Sequence, residues 1–437
     1  MRYISMSEYG RINRSDIDGR VLHRLQAFDE MWAGDKGQCV FDWSRSEYIR
    51  AQNYVGVVQI PGLVVEILPK IDTIANIDDV IDQYSSKQKV LSQRNLLYML
   101  ALTGSIPVRD RDLASLRLQR MPLLEAVALI FAERLLQELH KGIDREYVYN
   151  EKNAHCFKGK LLINKQITHN AAHKERVYIG YEEFISDTWI NRIFKETCKC
   201  LMHSVTLIHT QKRLREATMY LSDVTDIRIH EHHFENLHLN RNTERFRILI
   251  DFCRIVLTQY SPSPSQGNRE SFSLLFPMDK LFETFIARFI LKNYSRFNLM
   301  PDWIHIQARH RKKWLLKADD GKGHFRLLPD VIIDDATKKI EMVIDTKWKR
   351  LEKKGTFDEG GVSQSDLYQM FAYAIRYNSP DNILLYPKIE GAGSKVYFIP
   401  RSNSKIRLEF INLNRDLYRE KEAFIRDLQC VIFKDID

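Results

Sequence analysis

Two short apolar runs joined by a polar stretch of six dominate what the carboxyl-terminal part of this 437-residue chain can become. The first run is Val331-Ile332-Ile333, preceded by Leu327-Leu328-Pro329-Asp330; the second is Met342-Val343-Ile344, followed by Asp345-Thr346-Lys347. Both are too short for a helix. Asp334-Asp335-Ala336-Thr337-Lys338-Lys339 between them reads as a hairpin turn. Two adjacent antiparallel strands follow, each with a carboxylate at one end. Positions i and i+2 of a strand share a face. Asp345 and Lys347 therefore project together, while Ile344 and Thr346 point away. Whether Asp330 joins that face depends on strand register, which the pattern alone leaves open.

The residue types point to phosphodiester chemistry. Attack on a phosphodiester builds negative charge on an already anionic group. Mg²⁺ takes oxygen ligands and bridges to phosphate, and it lowers the pKa of bound water. Asp330 and Asp345 supply such ligands, and Lys347 can polarise a nucleophilic water or neutralise the transition state. Two further acidic and polar signals flank them. Glu283 sits among apolar helix positions in Leu281-Phe282-Glu283-Thr284-Phe285-Ile286. Gln369 and Tyr373 stand at i and i+4, on one helix face, where an amide and a phenol can orient a carboxylate, the lysine or a phosphate. Ser365 is placed to cap that helix. Lys349 falls on the Asp345 face one step further out, as a phosphate contact or a solvated residue. The basic run Arg309-His310-Arg311-Lys312-Lys313 precedes the first of the two strands, and Arg309, Arg311, Lys312 and Lys313 are read as phosphate contacts.

Length calls for about two or three domains at ~150 residues each. Ser261-Pro262-Ser263-Pro264-Ser265-Gln266-Gly267-Asn268 excludes helix and disfavours a central strand, so the main boundary is expected there. The chain then reads as multidomain α/β: residues 1–265, β-rich over 1–90 and mainly helical over 91–260, and an α/β layered domain over 270–437. In the first region, Tyr54–Leu68 reads as a hairpin about Pro61-Gly62. Helices are expected from about 91, over 122–140, with proline in the first turn, and over 187–204 and 241–259. After the boundary come a helix over 277–294, strands near 303–307, 325–333 and 340–348, and a loop over 350–364. A helix over 366–377, strands at 382–386 and 395–399, and a helix near 414–430 complete the domain.

Composition narrows the classes. Sixty-six basic against 57 acidic residues give +9, a mild bias toward polyanions. The six scattered cysteines form no CxxC pair, as expected of free thiols in a reducing compartment. No signal peptide and no apolar run of membrane-spanning length is read, so a cytoplasmic location without membrane contact is expected. No GxxxxGK[ST] loop occurs, so the chain should not bind GTP through a P-loop. His230, His232, His233 and His238 cluster, but without a helical HExxH pair or a nearby cysteine a polar loop or strand end is preferred to a zinc site.

The order Glu…Pro-Asp…Asp-x-Lys…Gln-x-x-x-Tyr resembles the PD-(D/E)xK nuclease superfamily, and more narrowly the McrC family. The stretches Arg94-Asn95-Leu96-Leu97-Tyr98-Met99-Leu100, Phe157-Lys158-Gly159-Lys160-Leu161, Ser186-Asp187-Thr188-Trp189-Ile190-Asn191-Arg192 and Met278-Asp279-Lys280-Leu281-Phe282-Glu283 carry the likeness beyond the acidic site. The resemblance covers roughly residues 50–400. It implies a restriction-endonuclease-like α/β domain over 270–437 and a partner-binding region over 1–265. It implies the Mg²⁺-dependent DNA-cutting subunit of a modification-dependent (5-methylcytosine) restriction complex. Such a subunit acts on methylated double-stranded DNA with an McrB-like AAA+ ring that binds and hydrolyses GTP and that it stimulates. Carried over residue by residue, Asp330 and Asp345 are the metal ligands, Lys347 the catalytic lysine, Glu283 the helix acid, and Gln369 and Tyr373 the supporting pair. The polar insert Lys353–Gly361 departs from the family and bears only on loop contacts. Two readings compete: a non-catalytic adaptor that activates an AAA+ ring, and a stand-alone nucleic-acid-binding protein.

Overall fold

A computed structural model describes residues 2–71, 86–108, 121–259, 271–349 and 362–433. The expected linker Ser261–Asn268 and the insert Lys353–Gly361 lie outside the described residues. The chain divides into two compact units. One holds Met1–Ser105, Arg109–Leu123 and Pro262–Asp437; the other holds Ile106–Val108 and Leu124–Ser261. This corrects the expected serial division into 1–265 and 270–437: the first unit is built from both ends of the chain, and the second lies between them in sequence.

Strand pairing explains the correction. The chain begins with β1 (Arg2–Ser7), β2 (Arg11–Asn13), α1 (Gly19–Lys36), β3 (Phe41–Asp42), β4 (Tyr48–Ala51), β5 (Tyr54–Ile60), β6 (Leu63–Leu68) and α2 (Ser86–Leu102). The expected hairpin is present. Ile60 pairs with Leu63, so Pro61-Gly62 is a two-residue turn, with Gly62 at φ +98°. β10 (Phe272–Pro277) completes a four-stranded sheet in the order β1-β6-β5-β10 by pairing antiparallel with β5. Gly56 sits where β5 meets β10, at φ +134°, and a Cβ there would lie 1.9 Å from the Leu274 carbonyl oxygen. Gly56→Ala is therefore expected to cost about 3 kcal/mol, read as a lowered denaturant midpoint; an unchanged midpoint would contradict this packing.

α1 was not anticipated. Asp18 caps it by accepting from Arg20 N at 2.9 Å, and Gly37 ends it at φ +78°. Only Leu25, Phe28, Asp29 and Trp32 are buried along its 18 residues, so its apolar stripe is too thin to show as a helical period in a region expected to be β-rich.

The second unit contains α3 (Leu123–Leu139), β7 (Glu146–Ala154), β8 (Lys160–Leu161), α4 (Ile163–Asn170), β9 (Val177–Ile185), α5 (Trp189–Ser204), α6 (Ile208–Tyr220), α7 (Glu231–Glu235) and α8 (Arg247–Gln259). Helices expected over 122–140, 187–204 and 241–259 appear with shorter ends. β7 and β9 pair antiparallel over their full length. At the start of α5, Asp187 accepts from Arg192 Nε and Nη2 at 2.8 and 2.7 Å and from Thr225 N and Oγ1 at 2.9 and 2.6 Å. The Arg192 guanidinium, with Thr225, holds this carboxyl well below the ordinary carboxylate range. A depressed folded-state pKa stabilises above the unfolded value of ~3.9 and is lost as pH falls below it. Asp187→Asn should cost ~1–3 kcal/mol near neutrality. The gap from wild type should hold above about pH 5 and narrow as pH falls from there toward the depressed folded-state value; a pH-independent gap in denaturant melts would exclude the charge as its cause.

The first unit resumes with β10, α9 (Met278–Lys292), β11 (Ile304–Ile306), β12 (Lys313–Lys317), β13 (Gly323–Leu327), β14 (Val331–Asp334), β15 (Ile340–Thr346), α10 (Gln364–Tyr377), β16 (Asp381–Pro387), β17 (Lys395–Phe398), β18 (Lys405–Ile411) and α11 (Lys421–Ile432). Six strands form one mixed sheet in the order β11-β14-β15-β16-β18-β17. β14 and β15 pair antiparallel; β15 and β16 pair parallel, with α10 between them in sequence. The single strand expected over 325–333 is two strands, because Pro329 has no N–H for a ladder. β13 instead pairs with β12 in a separate ribbon. The cap of α10 is Ser363, which accepts from Asp366 N, not Ser365. The core beneath the sheet gathers Ile332, Val343, Met370, Tyr373, Leu384 and Leu408. No helix among the described residues is long and apolar enough to cross a membrane, and all six cysteines are free.

Candidate active site

The β14–β15 register answers the question the sequence left open. Val331 pairs with Ile344, so Asp330, one residue earlier, stands opposite Asp345, one residue later, across the antiparallel pair. Both carboxylates are buried, at 6% and 2% exposure. The ladder continues past β15 with Lys347 N donating to Leu385 O at 2.9 Å, which keeps Lys347 in strand geometry. Its Nζ lies 2.6 Å from Asp345 Oδ2 and donates to Gln369 Oε1 at 2.9 Å. Gln369 Nε2 in turn donates to Tyr373 Oη at 2.7 Å. The helical pair thus orients the lysine through the amide.

Glu283 reaches the site from α9. It is buried among Leu281, Phe282, Phe285 and Ile286 on the inner side of the helix. Its carboxylate accepts from Lys280 Nζ at 2.9 Å and from Gln307 Nε2 at 3.0 Å. Gln307 escaped the sequence reading. Its backbone N–H also donates to Asp330 O at 2.8 Å. Gln307 and Ala308 both adopt positive φ, +52° and +47°. Such conformations cost about 1–3 kcal/mol each and tend to persist where the surroundings over-determine them. Thr346 is a correction. It was expected to turn away, yet its N–H and Oγ1 both donate to Asp330 Oδ2, each at 2.7 Å. Its place between Asp345 and Lys347 was the available signal: a hydroxyl there can reach an acid on the neighbouring strand.

The electrostatics are those of charges crowded in a dry place. Burial pushes the Asp330 carboxyl well above the usual range; repulsion from Asp345 and Glu283 adds to this, and the Thr346 donors offset part of it. Burial also raises Asp345, against the opposing pull of Lys347. Burial alone would lower the Lys347 ammonium, but Asp345 outweighs it and the lysine stays above its ordinary value. Burial, then Asp345, raises the Tyr373 phenol, so Tyr373 remains a neutral hydrogen-bonding group.

These residues suit a hard divalent cation. Mg²⁺ commonly uses one or two protein carboxylates and keeps several waters or substrate phosphate oxygens. Asp330 and Asp345, opposed and mutually repelling, form such a two-carboxylate donor set. Among the described residues no three His, Cys, Asp or Glu side chains converge as an all-protein cage. The fit is therefore to a site completed by water and phosphate.

The strand and helix around the site are tied down. Trp348 Nε1 donates to Glu8 Oε1 and Oε2 at 2.8 and 2.9 Å, and its ring packs on Phe282 at 5.1 Å. Lys349 pairs with Asp366 at 3.1 Å while half its side chain stays exposed. Asp366 also accepts from Tyr386 Oη at 3.1 Å. Of the basic run, Arg309 and Lys312 are exposed, Arg311 bonds Asp334 and Lys338 O, and Lys313 donates to Arg376 O at 2.8 Å. Of the histidine cluster, His232 and His233 lie on α7 in the second unit and His230 stands at its N-cap. His230 stacks on His232 and on His233, while the His232–His233 and His233–Trp189 rings are tilted to one another, the latter with centroids 4.7 Å apart.

Known proteins share this architecture. The family described as McrBC 5-methylcytosine restriction system component matches residues 49–387. The type IV methyl-directed restriction enzyme EcoKMcrBC of Escherichia coli (strain K12) is 21% identical over 344 residues, 76% of this chain and 95% of that protein. A chain of the refined half-complex from a tetradecameric assembly of Thermococcus gammatolerans McrB AAA+ hexamers with bound McrC superposes at a TM-score of 0.70. It is 20% identical and covers 99% of this chain and 100% of that one. A chain of the Thermococcus gammatolerans McrBC complex matches at a TM-score of 0.52 and 24% identity, over 67% of this chain and 88% of that one. The two structural likenesses are likenesses of fold.

Proposed function

Since the chain belongs to the family of McrBC 5-methylcytosine restriction system components, we propose that it is the DNA-cutting subunit of such a complex, a Mg²⁺-dependent endonuclease with a PD-(D/E)xK site. The observation that carries this reading is Asp330 opposite Asp345, with Lys347 held between Asp345 and Gln369. Asp330 and Asp345 would hold the metal, which supplies charge neutralisation and a more acidic bound water when present. Thr346 fixes one oxygen of Asp330. Lys347 keeps its proton and presents an ammonium at the place where phosphate charge grows. Gln369 and Tyr373 hold that ammonium in position, and Glu283 adds negative charge from α9.

Family membership and the shared fold support a partner. A relative of the same fold is in a structure of McrB AAA+ hexamers with bound McrC. This chain is proposed to bind an McrB-like GTPase ring, to stimulate its GTP hydrolysis and to cut methylated duplex DNA when assembled with it, in the cytoplasm.

Reconstitution tests the reading. The purified chain and the AAA+ GTPase of the same restriction system are mixed with methylated plasmid. Cleavage is expected only with both proteins, GTP and Mg²⁺. Asp345→Asn is expected to abolish cleavage and leave GTPase stimulation near wild type. Stimulation without cleavage under any of these conditions would establish the adaptor reading instead.

A further inference from the structure

β12 and β13 form a two-stranded antiparallel ribbon outside the six-stranded sheet, with Trp314 opposite Arg326 and Leu316 opposite His324. β13 runs directly into Leu328-Pro329-Asp330, so its end lies within ~10 Å of chain from the candidate metal carboxylate. Its base is fixed to α10: Arg376 Nε donates to Trp314 O at 2.8 Å, and Tyr377 Oη to Leu327 O at 3.4 Å. α10 is also the helix that carries Gln369 and Tyr373. From Lys317 to Lys322 the tip is exposed.

Two independent observations mark this ribbon. The ribbon, Lys313–Leu327, holds four Lys and Arg against two Asp, and Arg309, Arg311 and Lys312 lead into it, so that residues 309–326 carry a net +5 of the chain's +9. Phe325, in the middle of β13, is 70% exposed and adopts φ +58°. A bulky aromatic in the left-handed region costs about 1–3 kcal/mol, and the packing of this ring returns little of it. Folding alone does not account for an exposed phenyl held by strained backbone in a basic ribbon that leads into the two candidate carboxylates.

We infer that this ribbon is a duplex-DNA arm, in which Lys317, Lys322 and Arg326 engage backbone phosphates and Phe325 wedges against the base stack. The inference rests on the nuclease reading for its location, and it names how that site grips its substrate. A protein partner is the poorer occupant, since interface cores are depleted of lysine, whereas this patch concentrates positive charge. Apolar wedges that unstack a base step, set among basic residues, are a recognised way to bind and bend a duplex.

Binding of the full-length chain to a fluorescent duplex of about 20 bp is measured in EDTA, where metal-dependent cutting cannot contribute. Lys317→Gln/Lys322→Gln/Arg326→Gln is expected to lose tenfold or more in affinity, and the slope of log K against log salt should fall by about 2–3. Phe325→Gly relieves the φ strain while removing the ring, so the variant folds. It is expected to abolish the rise in emission of a 2-aminopurine-labelled duplex that wild type produces. Unchanged affinity and salt slope in the triple variant would overturn the inference, as would absence of binding by wild type at about 50 mM salt or of an emission rise. Variants that bind DNA normally but lose self-association in sedimentation would make the ribbon a protein interface, and also overturn it. A chain that binds through the ribbon yet never cuts under reconstitution refutes the nuclease reading alone. A chain that cuts while the ribbon variants bind normally refutes the arm alone.

Discussion

Replacing Lys347 by methionine is expected to lower DNA cleavage by about 10²–10³-fold, the usual loss when one preorganised charge is removed from a transition state. Methionine keeps most of the stem volume and removes the ammonium. That ammonium lies 2.6 Å from Asp345 Oδ2 and bonds Gln369 Oε1. The variant should still fold. Leaving a buried charge without its partner is usually costly, but burial has already pushed the Asp345 carboxyl up, so it can take a proton in the absence of metal. Two measurements check this: plasmid linearisation in the reconstituted complex, and a thermal melt of the chain alone. Cleavage within tenfold of wild type would remove Lys347 from the mechanism. A collapsed melt with normal cleavage in the residual folded fraction would make its role structural.

A fragment of residues 270–437 is expected not to fold cooperatively, although it contains every candidate catalytic residue. It would leave β10 without β5, its hydrogen-bonded neighbour. It would strip Trp348 of Glu8, the buried carboxylate that accepts its indole N–H. It would also remove α2. There Asn95 donates to Leu413 O and Arg415 O at 3.1 and 2.8 Å and accepts from Leu417 N at 3.1 Å. Tyr98 packs on Phe285 and Tyr418, and Arg94 pairs with Asp416 at 3.0 Å. Phe285 and its neighbours would then face water, at roughly 1.5–3 kcal/mol for each large apolar side chain. Such a loss exceeds what a domain stable by ~5–15 kcal/mol can absorb. Circular dichroism against temperature is the test. A sharp cooperative transition near that of the intact chain would show the fragment to be autonomous. The consequence is practical: deleting residues 1–260 cannot separate partner stimulation from cutting, because it damages the unit that carries the candidate site. Single substitutions are the informative tools.

The errors of the sequence reading have definite causes. α1 has sound caps at Asp18 and Gly37 but buries too few apolar side chains to show a helical period. Ser363 and Ser365 are both credible caps, and the start of the helix at Gln364 selects the first. Thr346 looked like an outward residue by strand alternation, yet its hydroxyl and N–H reach back to Asp330. Gln307 carries no local signal at all; its importance comes from donating both to Glu283 and, through its backbone, to Asp330.

What the sequence by itself determined is local. The Pro61-Gly62 hairpin, the polar turn between β14 and β15, the face shared by Asp345 and Lys347, and the Gln369–Tyr373 helical spacing all follow from turn chemistry and from periods of 2 and 3.6 residues. The order Glu283…Pro329-Asp330…Asp345-x-Lys347…Gln369-x-x-x-Tyr373, taken with the four stretches around residues 94, 157, 186 and 278, carried the resemblance to the McrC family. Only the tertiary structure decided that Asp330 stands opposite Asp345, that β10 pairs with β5 across some two hundred residues of chain, and that the unit carrying the candidate site takes both ends of the sequence. The reason is physical. A strand's pattern states which face it buries, whereas register and partner are settled by the packing of the whole sheet.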